Sequence, residues 1–147
     1  LNCNYGAIKD VLESNKISNP TAIDVSNAII HIRSSKLPNP NELGNAGSFF
    51  KNPVVSQDLY DKLIQIHPTM PHYSETNGVK IPAGWLIEQA GFKGKVVGNT
   101  GSHKFQALVI VNYGMATGEE IYSYSQTIID TVFKLYEINL EREVNVF

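Results

Sequence analysis

The chain has 147 residues, of which 42% are apolar and 18% charged, proportions that are typical of a globular domain and exclude intrinsic disorder. Its 12 basic and 14 acidic residues give a net charge of -2, and they form no dense basic run of the kind that binds nucleic acid. The longest apolar run, residues 107–111, is too short to cross a bilayer, and the single cysteine excludes both an intrachain disulfide and a set of thiolate metal ligands.

One helix is predicted near the N-terminus. Residues 1–19 are polar, rich in Asn and without a period, and are interpreted as a loop. Asn19 and Pro20 suit the N-cap and first turn of a helix that extends to about Arg33, because apolar residues then recur at helical spacing. The prolines within residues 36–40 exclude a helix there, so this segment is the predicted linker.

The middle of the chain is predicted to form a short strand and two helices. Small residues lead into two aromatic residues within positions 44–53, a pattern typical of a turn followed by a strand that ends at proline. Ser56 is the predicted N-cap of the next helix. The predicted inner stripe of that helix is Leu59, Leu63 and Ile66. A further short helix is predicted over residues 83–90, with Gly91 at its end.

The C-terminal part of the chain contains the clearest helix signal. Residues 106–112 are predicted to form a buried strand, and Thr117 and Glu120 have the spacing of a capping box that opens a long helix. The predicted inward residues of that helix are Ile121, Tyr124, Ile128, Val132 and Leu135. Residues 139–147 alternate apolar and polar, which indicates a final strand. Short strands mixed with helices predict an α+β fold, a two-layer sandwich of a small mixed or antiparallel sheet with helices packed on it.

Two positions are candidates for acid–base chemistry. Ser48 lies between small residues and two aromatic residues, so its hydroxyl could face a narrow, partly dry site, or it could be an ordinary turn residue. Glu141 and Glu143 share a face of the predicted last strand, about 7 Å apart, where one could act as a general acid or both could simply be solvated. The four histidines have no metal-ligand spacing, so no metal site is predicted.

The chain is interpreted as a piece of a longer cytoplasmic protein. It begins at Leu1 without a Met, and no signal-like segment is present at its start. A single cysteine suits a reducing compartment. We expect neither a nucleic acid nor a membrane as a partner.

Five segments together resemble one protein family, that of the UDP-N-acetylenolpyruvoylglucosamine reductases, also called UDP-N-acetylmuramate dehydrogenases. The strongest are KLPNPNELGNAGSFFKNP at residues 36–53 and AGWLIEQAGFKG at residues 83–94. Shorter segments are PHY at 71–73, HKFQAL at 103–108 and LEREV at 140–144. The resemblance covers nearly the whole chain and is to the C-terminal portion of the family.

The resemblance implies a reduction in two half-reactions, from NADPH to FAD and then from FAD to UDP-N-acetylglucosamine enolpyruvate, with UDP-N-acetylmuramate for peptidoglycan as the product. Ser48 matches the family's proton donor, which protonates the enolate carbon left by hydride transfer. Glu143 matches the second catalytic residue, a protonated carboxyl group that hydrogen-bonds the substrate carboxyl group. Both would be catalytic residues.

The resemblance also implies substrate-binding residues. Tyr5 and Lys36 match positions that cover and pair with the diphosphate, and the other matches line the UDP-sugar. Those other matches are Asn52, Tyr73, Lys93 and Gln106. No cofactor-binding residue is assigned to this chain, because FAD would be bound mainly by a missing N-terminal part.

The expected division follows from the same resemblance. Residues 1–35 would be the tail of the preceding flavin-domain region, and residues 36–147 would be the substrate-binding domain. The chain alone is expected to be inactive without the missing flavin-binding domain. The alternatives are a non-catalytic nucleotide-sugar binding module and a purely structural domain.

Overall fold

The computed structural model describes residues 7–146. These residues form two compact units that divide between Pro38 and Asn39. In the first unit, helix α1 (Ile8–Ser14) packs against helix α2 (Ala22–Lys36) through a small apolar cluster. The loop predicted for this region is therefore wrong over α1. A helix of two turns carries too few apolar positions for a period to be recognised in the sequence.

The start of α2 lies later than predicted, because Thr21 rather than Asn19 is its N-cap. The Thr21 hydroxyl accepts a hydrogen bond from the Asp24 N–H at 3.3 Å, and the Asp24 carboxylate accepts one from the Thr21 N–H at 2.8 Å. These bonds form a capping box, and the hydrogen bond from the Thr21 hydroxyl is the main reason that the pKa of Asp24 is lowered. The helix ends at Lys36, before the extended Leu37 that precedes Pro38.

The second unit contains two antiparallel sheets. The larger has four strands in the order β1-β7-β6-β5, and the smaller has three in the order β2-β4-β3. The strands of the larger sheet are β1 (Gly44–Ser48), β5 (Val96–Val97), β6 (Thr100–Ser102) and β7 (Val109–Asn112). Those of the smaller sheet are β2 (Val54–Val55), β3 (Tyr73–Glu75) and β4 (Gly78–Lys80). With helices packed on these sheets, the α+β prediction is confirmed.

Three helices accompany the sheets: α3 (Gln57–Ile66), α4 (Ala83–Gln89) and α5 (Gly118–Tyr136). Two predicted caps are confirmed, since Ser56 accepts from the Leu59 N–H and Thr117 forms a capping box with Glu120. Both caps are local patterns of three residues or so, which is why the sequence shows them. None of the helices within residues 7–146 combines the length and the apolar character that a membrane crossing requires.

The core of the second unit lies between the sheets and the inner face of α5. Tyr124, Ile128 and Val132 are buried as predicted, but Leu135 is 53% exposed and Tyr136 occupies the next inward position. The buried residues Tyr124, Ile128, Val132 and Tyr136 are four residues apart. The prediction of Leu135 as an inward residue is therefore wrong. In α3, Leu63 is buried, whereas the last residue, Ile66, is 70% exposed because the helix ends there.

The chain after α5 is not the strand that was predicted. Among residues 139–146 the only ladder contact is an isolated antiparallel bridge between Phe50 and Arg142. Leu140 is buried, but Val146 is 54% exposed, so the predicted apolar face does not extend along residues 139–146. These residues are called the tail.

Candidate functional site

Ser48 is the last residue of β1, directly after a β-bulge. Asn45 is opposite Val111 and Ser48 is opposite Val109, so β1 advances three residues while β7 advances two. Gly47 supplies the residue with positive φ, +74°, that the bulge requires. Ser48 itself is exposed, so of the two settings that the sequence leaves open, it is that of an ordinary turn residue that this chain shows.

Glu143 lies beside Ser48 because the tail pairs with the residues that follow β1. The Phe49 N–H donates to the Leu108 carbonyl at 3.0 Å, and the Glu143 N–H donates to the Phe49 carbonyl at 2.9 Å. Phe49 is therefore hydrogen-bonded both to the residue before β7 and to the tail. Glu143 is opposite Phe49, one residue from Ser48, and it is exposed.

Glu141, which the sequence places on one face with Glu143, has a cation as its partner. The Lys51 N–H donates to the Glu141 carbonyl at 2.9 Å, and the Lys51 ammonium group forms an ion pair with the Glu141 carboxylate. Both side chains are more than half exposed, so the ion pair contributes at most about 1 kcal/mol to stability. The ion pair and the main-chain hydrogen bond both join the tail to Lys51.

Asn52 and Gln106 meet at the first turn of α4. The Asn52 side-chain oxygen accepts a 2.8 Å hydrogen bond from the Ala83 N–H, so Asn52 caps a helix whose own N-cap, Pro82, makes no side-chain cap. A Cβ atom on Gly84 would lie 3.2 Å from the Gln106 side-chain oxygen, which shows how closely that amide approaches the helix. Asn52 and Gln106 thus both approach the first turn of α4, at Ala83 and Gly84.

Four of the predicted residues therefore gather around two adjoining segments, residues 48–52 and 106–109. These four residues are Ser48, Asn52, Gln106 and Glu143. The segments are joined by the hydrogen bond from Phe49 to Leu108 and by the position of Ser48 opposite Val109. We call this group the four-residue cluster.

Tyr73 and Lys93 lie outside the four-residue cluster. Tyr73 is 62% exposed on β3, opposite Lys80, and Lys93 is exposed after the end of α4, where its ammonium group lies 2.8 Å from the Glu88 carboxylate. Within the part of the chain that is described, neither is hydrogen-bonded or ion-paired to a member of the cluster. The chain after Lys93 does approach the loop before Gln106, since a Cβ on Gly94 would lie 3.6 Å from the Lys104 Cα.

The remaining predicted positions are Lys36 and Tyr5. Lys36 is the exposed last residue of α2, in the first compact unit. Tyr5 lies outside the described residues. Over residues 7–146, no group of three or more His, Cys, Asp or Glu side chains could hold a metal ion.

Sequence reasoning missed Lys51 and Arg142, both of which hold the tail beside the cluster. Lys51 pairs with Glu141, and the Arg142 guanidinium donates hydrogen bonds to Ser125 and Gln126 on α5. No local pattern marks these two residues, because the partner of Lys51 is 90 residues away and those of Arg142 are 17 and 16 residues away.

A separate cavity of about 290 Å³ lies between α5 and the β5–β6 hairpin, with Lys95, Thr100 and Tyr124 in its lining. Burial raises the pKa of the Tyr124 phenol, and a hydrogen bond with the Ser102 hydroxyl at 3.2 Å partly opposes that shift. None of the predicted site residues lines this cavity. In the four-residue cluster, Ser48, Asn52 and Glu143 are exposed and Gln106 is partly buried.

Comparisons with known proteins agree with the resemblance in the sequence. A family profile described as "UDP-N-acetylenolpyruvoylglucosamine reductase, C-terminal domain" matches residues 39–147. The UDP-N-acetylenolpyruvoylglucosamine reductase of Flavobacterium johnsoniae is 56% identical over 99% of the chain, that of Pseudomonas syringae pv. syringae is 47% identical over 100%, and that of Chromobacterium violaceum is 46% identical over 97%. The chain spans 44%, 44% and 42% of the lengths of these relatives.

Proposed function

This chain belongs to the UDP-N-acetylenolpyruvoylglucosamine reductase family, and we propose that it is the substrate-binding and proton-donating part of such a reductase. The full enzyme would convert UDP-N-acetylglucosamine enolpyruvate to UDP-N-acetylmuramate in cytoplasmic peptidoglycan synthesis. One observation carries the proposal: the hydrogen bond from the Glu143 N–H to the Phe49 carbonyl makes two residues from distant parts of the sequence, Ser48 and Glu143, neighbours.

Ser48 would act as the proton donor. A flavin, when bound to the full enzyme, supplies a hydride to the terminal vinyl carbon of the substrate. The carbon next to the carboxyl group then carries enolate character and is basic enough to take a proton from a hydroxyl group. The exposed position of Ser48 at the end of β1 supports this role, because the hydroxyl can face a substrate lying on the surface.

Glu143 would bind the carboxyl group of the substrate. In its protonated form it donates a hydrogen bond to that group, and the bond strengthens as negative charge develops during the reaction. Because the main chain of Glu143 is hydrogen-bonded to Phe49, its backbone is held one residue from Ser48. The two residues would thus act on adjacent atoms of one substrate.

The remaining residues would bind the UDP-sugar. Asn52 and Gln106, held at the first turn of α4, present amide groups that suit neutral polar parts of the ligand. Lys93 and Lys36 supply cations for the diphosphate, and charge-assisted hydrogen bonds are about twice as strong as neutral ones. Tyr73 and Tyr5 would complete the set of contacts.

The flavin would be held by another part of the full protein. Ser48 and Glu143 are both exposed, so a flavin carried by that part can approach them from the solvent side. We expect this chain by itself to bind the nucleotide sugar weakly and to show no turnover.

The proposal is tested in a full-length reductase that contains this chain, with NADPH as the reductant. Flavin reduction by NADPH and flavin reoxidation by substrate are followed separately by stopped-flow absorbance. We expect Ser48→Ala and Glu143→Gln to slow reoxidation by about 10²-fold or more while flavin reduction stays normal. Ser123→Ala, an exposed serine on α5, is the matched control and should change neither step.

Equal losses in both steps would contradict the roles of Ser48 and Glu143. Normal reoxidation in both variants, with binding of the UDP-sugar retained, would instead favour a non-catalytic nucleotide-sugar binding module. If substitutions at all four residues of the cluster left both activity and UDP-sugar binding unchanged, the site would lie elsewhere.

A further inference from the structure

Arg142, which precedes Glu143 in the tail, is attached to a single face of α5. Its Nε donates a hydrogen bond to Ser125 Oγ and its Nη2 donates one to Gln126 Oε1, each 2.8 Å long. Its guanidinium carbon lies 4.1 Å from the ring centroid of Tyr122. Positions 122, 125 and 126 are neighbours on one helical face, so the whole side chain is anchored to one rigid element.

The acceptor on Ser125 has a fixed orientation. Ser125 is fully buried, and its hydroxyl donates to the Tyr122 carbonyl at 2.6 Å. Its proton is thereby directed away from the guanidinium, and a lone pair remains to accept from Arg142. Charge-assisted bonds of this kind are about twice as strong as neutral ones, and the planar guanidinium sets two directions at once.

The main chain on either side of Arg142 is fixed as well. The Glu143 N–H donates to the Phe49 carbonyl, and the Lys51 N–H donates to the Glu141 carbonyl. Successive side chains of an extended segment point to opposite faces. Since Arg142 is held toward α5, Glu143 must project from the other face.

Arg142 forms no ion pair with a carboxylate among residues 7–146, and its acceptors on α5 are neutral oxygens. An arginine whose only task was to neutralise a neighbouring glutamate would contact one of the two beside it. The contacts of Arg142 instead attach the tail to α5.

We infer that Arg142 is a positioning residue for the reaction: its two hydrogen bonds to α5 fix the face from which Glu143 reaches the substrate beside Ser48. This inference rests on the proposed function, because Arg142 acts only through Glu143. Arg142 itself would touch neither the substrate nor the reacting atoms, because its guanidinium is hydrogen-bonded to α5.

The first test replaces Arg142 in the full-length enzyme and measures both half-reactions and the dissociation constant of the UDP-sugar. Misplacement of a reacting group by about 1 Å costs on the order of 10²-fold in rate. We therefore expect Arg142→Met to slow flavin reoxidation by about 10- to 100-fold while flavin reduction and substrate affinity change less than about twofold. Lys134→Met, which removes an exposed cation from the last turn of α5, is the matched control and should change none of these.

The second test asks whether Arg142 and Ser125 act as one unit. Ser125→Ala should slow the same step by a smaller factor, and the double variant should be no slower than Arg142→Met alone, because residues that share one interaction are not additive. Arg142→Lys should restore part of the rate, since an ammonium group keeps the charge and can reach one of the two acceptors. These variants keep the test informative if Arg142→Met does not fold.

Three outcomes would overturn the inference: a normal reoxidation rate in Arg142→Met, equal loss in both half-reactions, or additive losses in the double variant. Glu143→Gln is measured alongside, so that a failure of the positioning role of Arg142 can be distinguished from a failure of the proposed function. If Glu143→Gln is slow and Arg142→Met is not, only the role of Arg142 fails. If Glu143→Gln is also normal, the proposed function fails with it.

Discussion

The main-chain N–H of Glu143 donates a 2.9 Å hydrogen bond to the carbonyl oxygen of Phe49. Phe49 follows Ser48 and also donates its own N–H to Leu108 at the end of the β1–β7 pair. Glu143 is therefore linked to the larger sheet through the residue next to Ser48. The geometry of the candidate site depends on this link.

Replacement of Asn52 should separate helix capping from substrate binding. Asn52→Ala removes the acceptor for the Ala83 N–H and should lower the free energy of unfolding by about 1 kcal/mol. Asn52→Asp keeps an acceptor and should retain stability, yet it replaces the side-chain NH2 donor with a negative charge at the UDP-sugar and should raise KM. Urea unfolding and steady-state kinetics of the full-length enzyme check both effects. A normal KM in Asn52→Asp would contradict contact between Asn52 and the UDP-sugar.

Truncation of Phe50 should damage the core below the site. Phe50 is 1% exposed and is opposite Arg142 in the bridge to the tail. Loss of a buried phenylalanine ring typically costs about 3–5 kcal/mol. Urea unfolding followed by circular dichroism should show this loss for Phe50→Ala and less than about 0.5 kcal/mol for Phe133→Ala, because Phe133 is 55% exposed. Similar losses in both variants would contradict the placement of Phe50.

Two glycines should respond to alanine in opposite ways. A Cβ on Gly101 in β6 would lie 2.4 Å from the Lys95 carbonyl oxygen, which is main chain and cannot rotate away. Gly101→Ala should therefore destabilise the chain by about 1–3 kcal/mol or more. A Cβ on Gly118, at the start of α5, meets nothing within 4 Å, so Gly118→Ala should be neutral or stabilise by up to about 1 kcal/mol. Thermal unfolding of both variants checks the signs, and a stable Gly101→Ala would disprove the close approach.

Stability should fall at alkaline pH partly because of Tyr124. Burial raises the pKa of its phenol above the ordinary value of about 10, so the folded state holds the proton more tightly than the unfolded state. The resulting stabilisation is fully present below about pH 10 and is lost as the pH rises through the folded-state pKa. In Tyr124→Phe, the free energy of unfolding should fall less steeply as the pH rises. The substitution should also cost about 1 kcal/mol at neutral pH, since the hydrogen bond to Ser102 disappears.

Free energies of unfolding measured from about pH 7 to about pH 11 test this prediction. Burial also raises the pKa of Tyr136, so the alkaline loss should be reduced in Tyr124→Phe rather than abolished. If the free energy of unfolding of Tyr124→Phe fell with pH as steeply as that of the wild type, the contribution assigned to Tyr124 would be contradicted.

Local patterns account for the parts of the fold that the sequence predicts correctly. The caps at Ser56 and Thr117 and the helical period of α5 involve residues three or four apart, and the structure confirms them. Helix α1 is too short to show a period. The tail was predicted as a strand from its alternation alone, which cannot reveal whether a partner strand runs alongside it.

The candidate site was predictable as a set of residue types but not as an arrangement. The resemblance to a known family identified Ser48, Asn52, Gln106 and Glu143, whose gathering depends on hydrogen bonds between distant parts of the chain. No pattern in the sequence indicates that Asn52 caps α4, because the cap and the helix are 31 residues apart. Their roles in binding and catalysis stay predictions.

The pairing of residues 49–51 with residues 141–143 also has a consequence for folding. Lys51 and Glu141 are 90 residues apart, and closing so long a loop costs chain entropy before any contact offsets it. The helices and the β3–β4 and β5–β6 hairpins, by contrast, form from neighbouring residues. We therefore expect the tail to dock late in refolding, so that native helix content returns before a competent site does.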